Sequence, residues 1–88
     1  MAKFKDPATK AKANFLYTES EVGLTFAHIA RYTSDRAKRR RNAQFARKAY
    51  DTAGRLRNHV QMNAMEDARL TRNLLRLREA LELLGEAF

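Results

Sequence analysis

The stretch Leu70-Thr71-Arg72-Asn73-Leu74-Leu75-Arg76-Leu77-Arg78-Glu79-Ala80-Leu81-Glu82-Leu83-Leu84 decides the fold. Leu70, Leu74, Leu77, Leu81 and Leu84, with Phe88 beyond them, recur at spacings of four, three, four, three and four. On a helix such spacing gathers the side chains into one apolar stripe, whereas a strand would need a period of two. Just upstream, Asn63-Ala64-Met65-Glu66 has the form of a capping box, and Asp67 adds negative charge where the helix dipole favours it. Gly85 follows Leu84 and suits a left-handed residue past a helix end. A helix over 63–84 is predicted, with Arg76, Arg78, Glu79 and Glu82 off the leucine stripe and paired at the surface.

Working outward, Ala46, Ala49, Ala53, Leu56 and Val60 alternate by three and four, with Phe45 and Tyr50 on their flanks. That is a coiled-coil-like seam on a helix predicted over 35–62. Thr33-Ser34-Asp35 groups three residues that favour caps and turns. Before it, Ala11, Phe15, Val22, Phe26 and Ile29 read as one face of a helix over 7–33, opened by Asp6 as N-cap and Pro7 at the first helical position. Gly23 within it costs about 1 kcal/mol relative to alanine. Either a neighbouring helix approaches closely there, or the first two turns are a frayed extension.

Three helices joined by short turns predict an all-α, antiparallel three-helix bundle. Residues 1–6 form a short tail and 7–88 a single domain. The long second and third helices, each about 30–40 Å at 1.5 Å per residue, form the core hairpin, and the first lies across their groove. The expected core is Phe15, Val22, Phe26, Ile29, Ala46, Ala49, Ala53, Leu56, Val60, Leu70, Leu74, Leu77, Leu81 and Leu84. Leu16 and Leu24 join it. Leu75 and Leu83 fit either a wide core face or a second apolar face for a partner or another copy of the chain.

Composition bounds the rest. Leu, Ile, Val and Phe supply only 18 of 88 residues, but 15 alanines let helices approach closely enough for a narrow seam to close. Cysteine is absent, which removes disulfides and thiolate metal sites and fits a cytoplasmic setting. No apolar run is long enough to span a membrane, so membrane insertion is not expected. The net charge of +8 is concentrated: residues 1–33 carry five basic and three acidic side chains, 34–62 nine and two, and 63–88 four and five. A field of this kind favours polyanions or acidic protein faces.

Ala46, Tyr50 and Ala53 stand at small-aromatic-small spacing and in that respect resemble the second-helix signature of tetratricopeptide repeats. The alanine-lined hairpin also resembles three-helix modules of the MIT type. The resemblance covers residues 46–53 and implies a peptide-binding or scaffolding role. The tryptophan, glycine and proline landmarks of a tetratricopeptide repeat are missing, and no functional residue carries over.

The sharpest surface feature is Lys38-Arg39-Arg40-Arg41, four consecutive cations that point around most of a helix circumference. With Arg47, Lys48 and Arg55 they form a candidate polyanion-binding patch; the plainer reading is a solvated helix start. Helix-turn-helix spacing is not visible, and aromatics are not interleaved with the arginines. His28 and His59 are ordinary flank residues without the further ligands a metal site would need. Glu79 and Glu82 are exposed, not the buried pair that acid–base catalysis requires. Neither a nucleophile–base set nor a glycine-rich phosphate loop is present, so no enzyme, cofactor, metal or small-molecule substrate is expected. The expected function is binding or scaffolding through protein–protein contact, with another copy of the chain among the partners considered. Non-specific nucleic-acid binding through the second helix is the alternative.

Overall fold

The computed structural model describes residues 7–88, so the Asp6 cap lies outside the described residues. Pro7 is the first residue of α1 (Pro7–Tyr32), followed by α2 (Arg36–Leu56), a 3-10 turn (Arg57–His59) and α3 (Ala64–Leu83). No strand occurs among the described residues. The chain folds as the expected three-helix bundle.

Both N-caps within the described residues are built. The Asp35 carboxylate accepts from the Lys38 backbone N–H at 3.0 Å, and that bond is the first cause holding its pKa below the ordinary aspartate value. Asn63 Oδ1 accepts from Glu66 N–H at 2.7 Å while Glu66 Oε1 accepts from Asn63 N–H at 3.0 Å, a reciprocal capping box. The end of α3 is a Schellman motif. Glu86 N–H reaches Leu81 O and Gly85 N–H reaches Glu82 O, each at 3.0 Å, and Gly85 takes φ +93°.

The helix boundaries differ from expectation at one place. α2 ends at Leu56, six residues before the predicted Met62. Gly54, Asn58 and His59 are poor helix formers close together, and β-branched Val60 is extended at φ −122°, ψ 126°. Arg57 secures the break by donating to Asp67 Oδ1 and Thr71 Oγ1 of α3, each at 2.7 Å.

The packing order also differs. α1 is the longest helix, 26 residues against 21 and 20, and it is the hub. It packs most extensively on α2 and next on α3, while α2 and α3 meet each other least. The core hairpin is therefore α1–α2, not α2–α3. Leu16, Ala53, Leu70 and Leu74 cluster at one end, and Ala27, Ala46, Leu77 and Leu81 at the other. These pairings run α3 parallel to α1 and antiparallel to α2. Each buried leucine contributes about 1.5–3 kcal/mol, so Leu16 and the α3 stripe carry most of the apolar stabilisation.

The buried face of α1 is where the expectation fails. Ala13, Leu16, Ser20, Gly23, Ala27 and Ala30 point inward, at spacings of three, four, three, four and three. The expected residues sit one position earlier: Phe15 for Leu16, Val22 for Gly23, Phe26 for Ala27, Ile29 for Ala30. One residue is a rotation of about 100°. Phe15 and Val22 are exposed at 52% and 38%, and Phe26 and Ile29 are half-buried. Close approach explains the choice: a Cβ at Gly23 would stand 2.6 Å from Leu77 Cδ2 and 3.0 Å from Ala49 Cβ. There is room for backbone only. Between the two clusters Asn73 Nδ2 donates to Ser20 Oγ at 3.1 Å, and Ser20 Oγ donates to Tyr17 O at 2.6 Å, so these buried polar groups are satisfied. Leu56, Val60 and Leu84 are half-buried and pack against the clusters, not within them.

Candidate interaction surface

The seven cations singled out from the sequence differ in their surroundings. Lys38, Arg39, Arg40 and Arg41 lie in the first two turns of α2 and are exposed all round it. Arg39 turns back, its Nη2 donating to Thr33 O at 2.9 Å, and so closes the end of α1. Arg40 lines a shallow cleft of about 320 Å3 with Arg39 and with Arg36, a cation not included in the expected patch; Leu84 and Glu86 form the far wall.

Arg47 is bonded within the chain. Its Nε bonds both carboxylate oxygens of Asp51 at 3.2 Å, and its Nη1 bonds Glu86 Oε1 at 3.1 Å and Ala87 O at 2.9 Å. The guanidinium stacks over Phe88 at 4.2 Å, with Arg78 at 4.9 Å from the same ring and Tyr50 edge-on to it at 5.0 Å. Desolvation works against the Arg47 charge, but the bonds and charges of Asp51 and Glu86 hold its pKa above the ordinary arginine value. Arg47 thus fastens residues 85–88 onto α2.

The remaining cations form an orderly row. Arg41, Lys48 and Arg55 recur every seven residues, placing them along one line of α2 about 10 Å apart. All three are exposed, and among the described residues none makes an ion pair. Asp51 is the one acid in α2, and Arg47 occupies it.

Beside this row runs an apolar strip. Phe45 follows Arg41 by four and precedes Lys48 by three, so it borders both on the helix surface. It is 44% exposed, and its ring meets Phe26 of α1 at 5.1 Å. Phe15, Val22 and Ile29 continue the strip along α1. At its lower end Ala11, Lys12, Phe15, Leu16, Leu56, His59 and Val60 enclose an open, apolar-lined groove of about 450 Å3. The strip lies on the side of the α1–α2 pair away from α3, since α3 meets α1 through Tyr17, Ser20 and Gly23 and meets the α2 side through Tyr50 and Arg57.

Leu75 and Leu83 on the outer side of α3 are exposed at 56% and 68%, while Leu16 is buried and Leu24 partly so. His28 is exposed with its ring 4.7 Å from that of Tyr32, and His59 borders the groove. Glu82 pairs with Arg78 at 3.9 Å across one helical turn. Among the described residues no group of three or more His, Asp or Glu could hold a metal, and no helix is long and apolar enough to cross a membrane. The chain matches no protein-family model, no curated protein and no solved structure.

Hydropathy assigned Phe15, Val22, Phe26 and Ile29 to the core, which hid the strip. The signal that locates it is the parallel row of small residues one position along, read as a heptad in its own right.

Proposed function

We infer that the protein is a non-enzymatic helical binding module acting through protein–protein contact on the open side of its α1–α2 pair. One observation carries this reading: Phe15, Val22 and Phe45 stand exposed on one side of the α1–α2 pair, although the bundle already has a closed core. Folded monomers seldom keep aromatic side chains together in water without an interface to supply, and aromatics dominate interface energetics.

Affinity capture from source-cell lysate under nuclease treatment tests it, with three baits in parallel. The wild type and Arg40→Gln/Arg41→Gln should retain the same proteins, and Val22→Ser/Phe45→Ser should lose them. Retention by the Val22→Ser/Phe45→Ser bait would sink the reading.

A second reading, non-specific polyanion binding, rests on the unpaired Arg41–Lys48–Arg55 row with Arg36 and Arg40 nearby. It requires binding of a labelled duplex whose log K falls with log salt by about 0.9 per phosphate neutralised. Arg40→Gln with Arg41→Gln should then weaken all sequences alike.

A further inference from the structure

We propose that the open α1–α2 face receives one amphipathic helix from a partner protein, and that this helix is acidic along one edge. The proposal deepens the protein-binding reading and rests on it.

The geometry describes the ligand. Phe15 to Ile29 spans about 21 Å of α1 at 1.5 Å per residue, and Phe45 with Leu56 lines the facing side of α2. Two helices side by side leave a groove on each of their two faces. α3 fills one with its leucine stripe. The other carries Phe15, Val22, Phe26, Phe45 and Leu56, with Glu19 half-buried on the same stripe of α1, and is of the length a helix of four turns would cover, which is the helix-in-groove mode of recognition.

Charge selects the occupant. Arg41, Lys48 and Arg55 border the strip on its α2 edge without a close ion pair among the described residues, Arg41 being attracted only at longer range by Asp35. Thr18 and Thr25 border it on the α1 edge. A helix laid in the groove meets the cation row on its α2 edge and Glu19, inside Thr18 and Thr25, on its α1 side, so acidic side chains are favoured on the α2 flank alone. Glutamate or aspartate repeating about every seven residues along one flank would meet the cation row in register. A basic helix would be repelled along its whole length. A second copy of α3 fits poorly, because Arg72 and Arg76 accompany Leu75 and Glu79 on its outer face.

Synthetic peptides of about 20 residues test this by fluorescence anisotropy at about 0.15 M salt. One carries a leucine stripe flanked by glutamates. A second replaces those glutamates with lysines, and a third keeps the glutamates but replaces the leucines with alanines. The leucine–glutamate peptide should bind about tenfold or more tighter than either control. Lys48→Glu/Arg55→Glu should invert the preference between the first two, and Phe45→Ser, or Val22→Ser if that variant folds better by circular dichroism, should weaken the first by about tenfold.

Equal affinity for the glutamate and lysine peptides overturns the acidic edge while leaving protein binding on this face intact. Equal affinity for the leucine-free acidic peptide overturns the proposal in favour of a general polyanion surface. A dimer in sedimentation that Phe45→Ser dissociates makes a second copy the occupant and likewise overturns it. Failure of every leucine peptide, together with lysate capture indifferent to Val22→Ser/Phe45→Ser, removes the protein-binding reading itself.

Discussion

On the side of α1 that meets α2 and α3 the chain places alanine, serine and glycine around a single leucine, Leu16; about 100° round the helix it places phenylalanine, valine and isoleucine. A transfer scale would exchange the two. Ala13, Ser20, Gly23, Ala27 and Ala30 remove little apolar area from water, but they let the α1 backbone come down onto Ala46, Ala49 and the leucines of α3. Burial energy then comes mainly from Leu16 and the leucines of α3, and the small residues of α1 supply proximity. On the bulky side Phe26 meets Phe45 of α2, while Phe15 and Val22 stay exposed among the described residues. The difference teaches that helix packing is decided by fit at the contact and not by which stripe is the more hydrophobic.

If the closed side depends on close approach, it must reject added volume. Ala49→Leu should destabilise by about 2–3 kcal/mol through overpacking against Gly23. At about 4–8 °C per kcal/mol for a domain of this size, the melting temperature should fall by well over 5 °C. A melting temperature equal to that of the wild type would break the comparison outright.

The polar pair in the closed side comes next. Asn73→Ala removes one buried hydrogen bond and leaves a small void, costing about 1–2 kcal/mol in urea denaturation. Ser20 keeps its bond to Tyr17 O, so no orphaned donor adds to the loss. A stability unchanged by Asn73→Ala would show that the α1–α3 contact is looser than the α1–α2 contact.

Two glycines sharpen the contrast with a single methyl group. Gly54→Ala, with nothing within 4 Å of the added Cβ, should stabilise by about 0.5–1 kcal/mol. Gly23→Ala gains the same helix propensity but strikes Leu77 and Ala49, and should destabilise by about 1 kcal/mol. Effects of the same sign in a thermal melt would contradict the close approach.

The smallest effect belongs to the open side. Val22→Ala exchanges a half-exposed β-branched residue for the best helix former, and stability should change by no more than about 0.5 kcal/mol. A loss above about 1.5 kcal/mol would place Val22 in the core that hydropathy assigned to it.

Much of this was legible in the residues themselves. The leucine stripe of α3, the alanine seam of α2, the Asn63–Glu66 box, the Asp35 cap and the Gly85 stop are local patterns, each satisfied by groups within a few positions, so a linear reading reaches them. The rotation of α1 was not legible in this way. Phe15/Val22/Ile29 and Leu16/Gly23/Ala30 are both helical faces with nearly the same spacing, and nothing within α1 ranks them. Only the shape of α2 and α3 does.

The same holds for the cations. Sequence placed Lys38, Arg39, Arg40, Arg41, Arg47, Lys48 and Arg55 on one helix. Tertiary contacts decided that Arg39 caps α1 and that Arg47 binds Asp51, Glu86 and Phe88. They left Arg41, Lys48 and Arg55 without a close ion pair among the described residues, beside an apolar strip. The sequence by itself thus determined helix content, most of the boundaries and the excess of positive charge, because these follow from periodicity, capping and composition. Which face of α1 is buried, which cations are spent internally, and where an apolar strip meets a basic row were settled by the tertiary structure. Those outcomes depend on how closely three backbones can approach, a property of the assembled helices and of none of them alone.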